Sequence, residues 1–173
     1  MTKKQENSIR LLPLSLVDAP KLFHIANNIK IAGMMRDAFP NPYSLKDAEN
    51  FITRQLEEEK SGVFGIFYHT DLAGIISLNR QTDVYRLSAE LGYFVGEKYW
   101  NKGIASKSVE MITQYGFESL HLNRIFAAVF DPNKASMRVL EKNGYVLEGI
   151  KRKAIIKNNR ILDEYFYAKL HEE

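Results

Sequence analysis

The segment from Gly62 to Ser108 constrains the fold most. Three runs rich in β-branched and aromatic residues, VFGIFYH, LAGIISL and AELGYFV, follow one another, and the glycine-bearing stretch WNKGIA (Trp100 to Ala105) then leads into a helical pattern. The runs are separated by Thr70-Asp71 and by the polar stretch Asn79 to Arg86, which predicts an antiparallel meander. Beyond the loop, Ala105, Val109, Ile112 and Gly116 recur on one helical face, ending near His121. A chain that alternates these textures is neither all-helical nor all-β.

The flanks complete the order. Ser8 to Leu14, broken by Pro13, reads as an edge or terminal strand. Leu22, Phe23, Ile25, Ala26 and Ile29 predict an amphipathic helix capped by Asp18 or Ser15. Gly33, two prolines, Met34 and Met35 mark Lys30 to Tyr43 as a loop. Ser44 with Asp47 approximates a capping box for a second helix running to about Lys60. After the strand RIFAAVF, Asp131-Pro132-Asn133 opens a further helix that Asn143-Gly144 closes, and two last strands, about Tyr145 to Ile156 and Ile161 to Leu170, turn at Asn158-Asn159. The order β-α-α-β-β-β-α-β-α-β-β carries no repeat, and one α+β domain over residues 1 to 173 is expected.

Composition narrows the chemistry. With 173 residues the chain can bury a core without covalent staples, and with no cysteine it has no disulfide, no thiolate nucleophile and no Cys-ligated metal. Lys+Arg 24 against Asp+Glu 21 leaves a net charge of +3, which favours an anionic ligand without a basic stripe for nucleic acid. His24, His69, His121 and His171 lie far apart with no i, i+4 pairing, so no metal is expected. No membrane-spanning apolar run is present, and the polar start Met1 to Arg10 does not read as a signal peptide, so a cytoplasmic protein is expected.

Two segments carry chemistry. The strand, glycine loop and helix from Glu90 to Ser108 form an anion cradle in principle: Gly103 lets the backbone approach closely, and the first N–H groups of the helix at Ile104 have no internal acceptor. Glycine as a plain positive-φ hinge accounts for the same residues. In the second segment, Asn133 to Tyr145, Asn133 is a natural N-cap for the N–H of Ser136.

In this order the two segments resemble the GNAT N-acetyltransferases, especially the ribosomal-protein N-terminal (RimJ/RimL-type) branch. The resemblance spans nearly the whole chain. It rests on A-E-L-G-Y at Ala89 to Tyr93, Y-W-N-K-G-I-A at Tyr99 to Ala105, N-x-x-S from Asn133 to Ser136, and E-K-N-G-Y ending at Tyr145. I-R-L-L from Ile9, Leu147-Glu148-Gly149 and D-x-x-x-Y from Asp163 to Tyr167 agree. It implies a three-layer fold with a mostly antiparallel seven-stranded sheet, a splayed parallel strand pair and about four flanking helices.

The same resemblance implies acetyl-CoA as co-substrate, lying between the Leu91–Val95 and Ile125–Phe130 strands. Pantetheine contacts fall to the backbone of Phe94 and Val95, pyrophosphate contacts to Lys102, Gly103, Ile104, Ala105 and Ser106. Asn133 matches the asparagine that bonds the pantetheine arm, and Ser136 the hydroxyl facing the departing thiolate. Trp100 stands where the family usually has Gln or Arg, which removes a side-chain phosphate contact.

With no cysteine to hold an acyl group, an amine must attack the thioester directly, and a base must take its proton. Glu90, beside the implied acetyl site, is the candidate; pairing with Arg80 or Arg86 in a solvated sheet is the other reading. A backbone N–H near Val95 is expected to hold the oxyanion. Two departures bear on this. Leu140 replaces the tyrosine many relatives place before the Glu-Lys of the last helix, leaving Ser136 as donor to the thiolate, and the stretch Lys151 to Ile156 lacks a glutamate that some members of the branch carry.

The acceptor is expected to be a primary amine, with a protein N-terminus favoured because its amine needs less help to lose a proton than lysine does. A small-molecule amine acceptor and a non-catalytic acyl-CoA sensor are the alternatives. Phe39, Tyr43, Met34 and Met35 fall in the loop that usually lines the acceptor pocket, where core packing explains them equally well. Lys151, Arg152 and Lys153 face either an acidic substrate or ribosomal RNA, or are a solvated strand edge on which alternation lets only some share a face. Monomer and homodimer are both open.

Overall fold

The computed structural model describes residues 8–57 and 62–172. Residues 1–7 of the polar start, which does not read as a signal peptide, and the expected helix end at Lys60 lie outside the described residues. Seven strands form one sheet in the order β1-β2-β3-β4-β5-β7-β6, with β1 Ile9–Leu12, β2 Val63–Tyr68, β3 Asp71–Arg80, β4 Ser88–Val95, β5 Arg124–Phe130, β6 Val146–Lys157 and β7 Arg160–Leu170. Five helices among the described residues accompany it: α1 Ala19–Ala26, α2 Ile29–Ala32, α3 Leu45–Glu57, α4 Ile104–Glu118 and α5 Lys134–Lys142. The one beyond the expected four is α2, a single turn that takes Ile29 from the predicted first helix, which ends at Ala26, and runs into the stretch from Lys30 that glycine and proline content marks as loop. Its start is fixed by the Asn28 side chain, which accepts from Lys30 N at 2.9 Å.

The chain divides into two compact units, Met1–Ile76 with Tyr93–Ser108, and Ser77–Gly92 with Val109–Glu173. In the first, β1 pairs antiparallel with β2 from Ile9↔Tyr68 to Leu12↔Gly65. Helix α1 packs on α3, burying Leu22 and Ile25 on one side and Ala48 and Ile52 on the other. The predicted box at α3 is present: Asp47 N donates to Ser44 Oγ at 3.1 Å and Ser44 N to Asp47 Oδ2 at 2.8 Å. Both candidates at the first helix take part in one arrangement, since Ser15 donates from N and Oγ to Asp18 Oδ2 at 3.0 and 2.9 Å across a 3₁₀ turn.

In the second unit β5 pairs with β7 along its whole length, from Arg124↔Leu170 to Phe130↔Glu164, and β7 pairs with β6. The sheet's parallel pair is β4 with β5, and their register is short: Ser88↔Arg124, Ala89↔Ile125, Glu90↔Phe126. The ladder ends there while both strands run on, as the splayed pair requires. Helix α4 covers the Ala89 and Ile125 face, and a Cβ on Gly116 would stand 2.7 Å from Ile125 Cδ1 and 2.9 Å from Leu78 Cδ1, so glycine is what lets the helix lie that close. The last hairpin turns through Asn158 and Asn159 at φ 50° and 58°, the left-handed pair that a two-residue turn demands.

Candidate functional site

The β4-to-α4 connection is built by its sequence residue by residue. Val95 is buried at the end of β4, and Gly96 N donates to Ala73 O at 2.8 Å. Glu97 to Tyr99 form a 3₁₀ turn. The Glu97 carboxylate accepts from Asn28 Nδ2 at 2.7 Å and pairs with Lys30, whose ammonium first, and Asn28 second, hold the carboxyl below its ordinary range. Asn101 and Gly103 then take φ of 59° and 71°. Both are left-handed conformations, which asparagine tolerates and glycine adopts freely.

The chain thereby emerges into α4 with Lys102 and Gly103 exposed and the Ile104 side chain fully buried. Ile104 has only its backbone to offer. The helix's first N–H groups, those of Ile104, Ala105 and Ser106, precede the bond from Lys107 N to Gly103 O at 3.1 Å, and Lys102 Nζ stands 5.6 Å from the Tyr99 ring centre. An exposed left-handed glycine, a flanking ammonium and a helix N-terminus together fit a pyrophosphate. This donor set is chemically right for the phosphates of coenzyme A.

Trp100 does more than the sequence reading allowed. Its indole Nε1–H donates to Val95 O at 2.6 Å, which fastens the end of β4 to the loop. No spacing rule pointed to this; the only signal was a lone tryptophan in a glycine loop. Phe94 is half-buried and meets Phe39 edge-on at 5.6 Å, and Phe39 in turn lies 5.1 Å from Tyr43. Tyr43 is buried and its hydroxyl pKa is pushed up to about 12 by burial first and by Asp47 second. Packing therefore accounts for Tyr43, whereas Met34 is exposed and Met35 and Phe39 are half-exposed.

In the second unit, the parallel register sets Glu90. Ala89 and Ile125 are fully buried, so their neighbours Glu90 and Phe126 share the opposite face, both half-buried. On that face Phe126 stacks on Phe166 at 5.4 Å and 16°, with Lys151 Nζ 4.3 Å from the Phe166 ring centre. Arg86, one proposed partner of Glu90, directs Nη1 to Asp83 O at 3.2 Å.

Asn133 caps α5 as expected, its Oδ1 accepting from Ser136 N at 3.2 Å. The cap uses only the oxygen, and the amide NH₂ keeps two donors. Ser136 is half-buried in the first turn of the helix. Leu140, where the resemblance implies a tyrosine, is fully buried in the core.

One expectation fails on β6. Simple alternation for Lys151, Arg152 and Lys153 is broken by a bulge between Lys151 and Ile155, where Lys153 takes φ 53° and its N–H donates to Asp163 Oδ1 at 2.8 Å. The carboxylate of Asp163 satisfies the backbone that leaves the ladder. Among the described residues no three His, Cys, Asp or Glu side chains are grouped to hold a metal, and no helix is long and apolar enough to cross a membrane.

The family model "Acetyltransferase (GNAT) domain" matches residues 8–146. The protein named "Probable N-acetyltransferase YjcK" of Bacillus subtilis is 32% identical over 172 residues, covering 91% of each chain. The ribosomal-protein-serine acetyltransferase of Escherichia coli is 31% identical over 62% of this chain and 60% of its own. Among solved structures, the microcin self-immunity acetyltransferase MccE in complex with acetyl-CoA and AMP superposes with TM-score 0.82 and 29% identity, covering 95% of this chain and 93% of that one. With the sheet order, the short parallel register and the glycine turn into α4, these matches settle the family: the chain belongs to the GNAT acetyltransferases and is an N-acetyltransferase.

Proposed function

We propose that the protein transfers an acetyl group from acetyl-CoA to a primary amine, a protein N-terminal amine foremost, by direct attack in a ternary complex. The observation that carries this reading is the turn from Val95 to Ser106, in which Gly103 at φ 71° exposes the start of α4. Acetyl-CoA supplies the activated acyl group as a thioester. Lys102, Gly103, Ile104, Ala105 and Ser106 hold its pyrophosphate, and the backbone of Phe94 and Val95 with the Asn133 amide holds the pantetheine arm.

Glu90 is assigned as the base that takes the proton from the acceptor's ammonium group, directly or through a water. The Val95 N–H is assigned to the acyl oxygen and the Ser136 hydroxyl to the sulfur as negative charge grows there. Both units serve one acetyltransferase domain, a reading supported by a family match that runs from residue 8 to 146 through parts of each. Because its co-substrate is a metabolite of the cell interior, we place the protein in the cytoplasm.

The similarity to the ribosomal-protein-serine acetyltransferase supports a protein acceptor. A small-molecule acceptor is the second reading, and the similarity to the spermidine N(1)-acetyltransferase of Escherichia coli, 25% identical over 83% of this chain, supports it. The deciding experiment follows free thiol released from acetyl-CoA with N-terminal peptides, lysine peptides, polyamines and aminoglycosides. Thiol release with N-terminal peptides alone establishes the first reading, and release with a small amine alone establishes the second. Binding of acetyl-CoA without release for any acceptor favours a sensor.

A further inference from the structure

The Glu97 side chain is joined to the start of α2 by contacts that neither the phosphate nor the pantetheine assignment uses. Asn28 Nδ2 donates to Glu97 Oε2 at 2.7 Å, and Lys30, in the single turn of α2, pairs with Glu97 Oε1. The other end of the Asn28 amide caps the helix, its Oδ1 accepting from Lys30 N at 2.9 Å. One side chain therefore both starts α2 and holds it to the β4-to-α4 connection. Gly96 supports the same approach: a Cβ there would stand 3.0 Å from Ile25 Cβ and 3.1 Å from Ile25 Cγ2, so glycine lets the last turn of α1 lie against the connection.

Helix α2 has four residues, too few to hold itself together by internal hydrogen bonds. Gly33 N and Met34 N donate to Ile29 O and Ile31 O, both at 2.9 Å, so the start of the loop over residues 33–43 hangs on that turn. The end of the loop is fixed by the residue before the clamp, since Asn27 Oδ1 accepts from Tyr43 N at 3.1 Å. Between the two, Phe39 meets Phe94 edge-on at 5.6 Å, which brings the loop beside the strand end assigned to the pantetheine arm. An exposed ion pair such as Lys30 with Glu97 adds little to global stability. Its place in the fold gives it a local use.

We propose that Glu97 is a positioning residue: through Asn28 and Lys30 it holds α2 formed and the loop 33–43 in place, so that coenzyme A bound at the β4-to-α4 connection and an amine acceptor lying against the loop strengthen each other's binding. This rests on the coenzyme A assignment made above. The two states are α2 formed with the loop set, and α2 frayed with the loop released. A ligand that fixes the connection favours the first state, and linkage makes the effect reciprocal. Glu97 itself is assigned no contact with either ligand.

The test is amide hydrogen exchange on the whole chain, with coenzyme A as the probe at a concentration that calorimetry shows to be saturating for each variant. In the wild type, coenzyme A is expected to slow exchange at Gly33, Met34 and Tyr43 about fivefold. Without ligand, E97A is expected to speed exchange at the same three amides about fivefold, while the β1–β2 ladder in the same unit exchanges as in the wild type. Saturating coenzyme A no longer slows those amides in this variant. N28A, which removes cap and clamp together, is expected to do the same, and E97Q, which keeps an amide oxygen for Asn28 Nδ2, to restore part of the protection. With an N-terminal peptide as acceptor, E97A is expected to raise the peptide KM about fivefold while kcat stays within about twofold.

Coenzyme A binding to the wild type without slower exchange in the loop 33–43, or an unchanged peptide KM in E97A, overturns the coupling and leaves the coenzyme A assignment standing. No coenzyme A binding at all removes that assignment and the coupling with it. Wild-type exchange rates in E97A, or faster exchange spread equally over the β1–β2 ladder, would overturn the positioning role.

Discussion

Trp100 Nε1–H donates to the Val95 carbonyl across 2.6 Å, and this one bond joins the last residue of β4 to the loop that opens α4. The two residues that flank the 3₁₀ turn are thereby held at a fixed separation. Replacing Trp100 by Phe keeps an aromatic ring and removes the donor, which costs about 1 kcal/mol for a hydrogen bond of this kind. The expected outcome is a several-fold rise in the dissociation constant of coenzyme A by calorimetry, with kcat little changed. Because Trp100 is the single tryptophan, its fluorescence in the wild type is also expected to change on adding coenzyme A.

Gly103 makes two separable contributions, conformation and space for charge. At φ 71° any L side chain is strained by roughly 1–2 kcal/mol, so Gly103→Ala is expected to lower the melting temperature slightly and to weaken coenzyme A binding. Gly103→Glu adds a carboxylate where the phosphates are assigned. It is expected to abolish coenzyme A binding while thermal stability matches the alanine variant. Equal binding by the two variants would remove the phosphate assignment and leave a plain hinge.

Tyr167 is buried, its hydroxyl donates to Glu141 Oε1 at 2.9 Å, and its pKa is pushed up to about 12, by burial first and by that carboxylate second. A tyrosine raised above its ordinary value near 10 binds its proton longer in the folded state than in the unfolded one. Its contribution is therefore complete below pH 10 and is lost as pH rises from about 10 to 12. Chemical denaturation from pH 8 to 11.5 is expected to show Tyr167→Phe with a shallower alkaline decline than wild type. At neutral pH the same variant is expected to be less stable by about 1 kcal/mol, the worth of the lost hydrogen bond.

Local signals were legible wherever one residue type has one physical use. Ser44 with Asp47, Asn133 with Ser136, Asn158-Asn159 and the β5 run RIFAAVF, which is the strand Arg124–Phe130 residue for residue, each hold in the structure. What spacing could not show depends on partners remote in sequence. The one-turn helix α2 stands in a stretch of poor propensity, and its N-cap Asn28 also donates to Glu97, 69 residues away. The bulge at Lys153 needs Asp163 on the next strand, and no pattern within β6 alone announces it. The indole bond of Trp100 is local, but a side chain reaching back to a strand carbonyl has no sequence period.

Glu90 and Phe126 face each other at the end of the parallel register, on the side of the sheet away from the fully buried Ala89 and Ile125. A glutamate at that point is half-buried, and its neighbour across the ladder is an aromatic ring stacked on Phe166. As the assigned base, Glu90 acts on the acceptor's proton and not on the phosphates. Glu90→Gln keeps the shape and removes the proton acceptor, so kcat is expected to fall about 10²-fold or more while the acetyl-CoA dissociation constant stays within twofold. The deficit is expected to shrink as pH rises toward the acceptor amine's own pKa, because a deprotonated amine no longer needs the base. A rate loss that is constant across pH, or a parallel loss of acetyl-CoA affinity, would assign Glu90 to holding the sheet, and the base would have to be sought elsewhere on the Phe126 and Phe166 face.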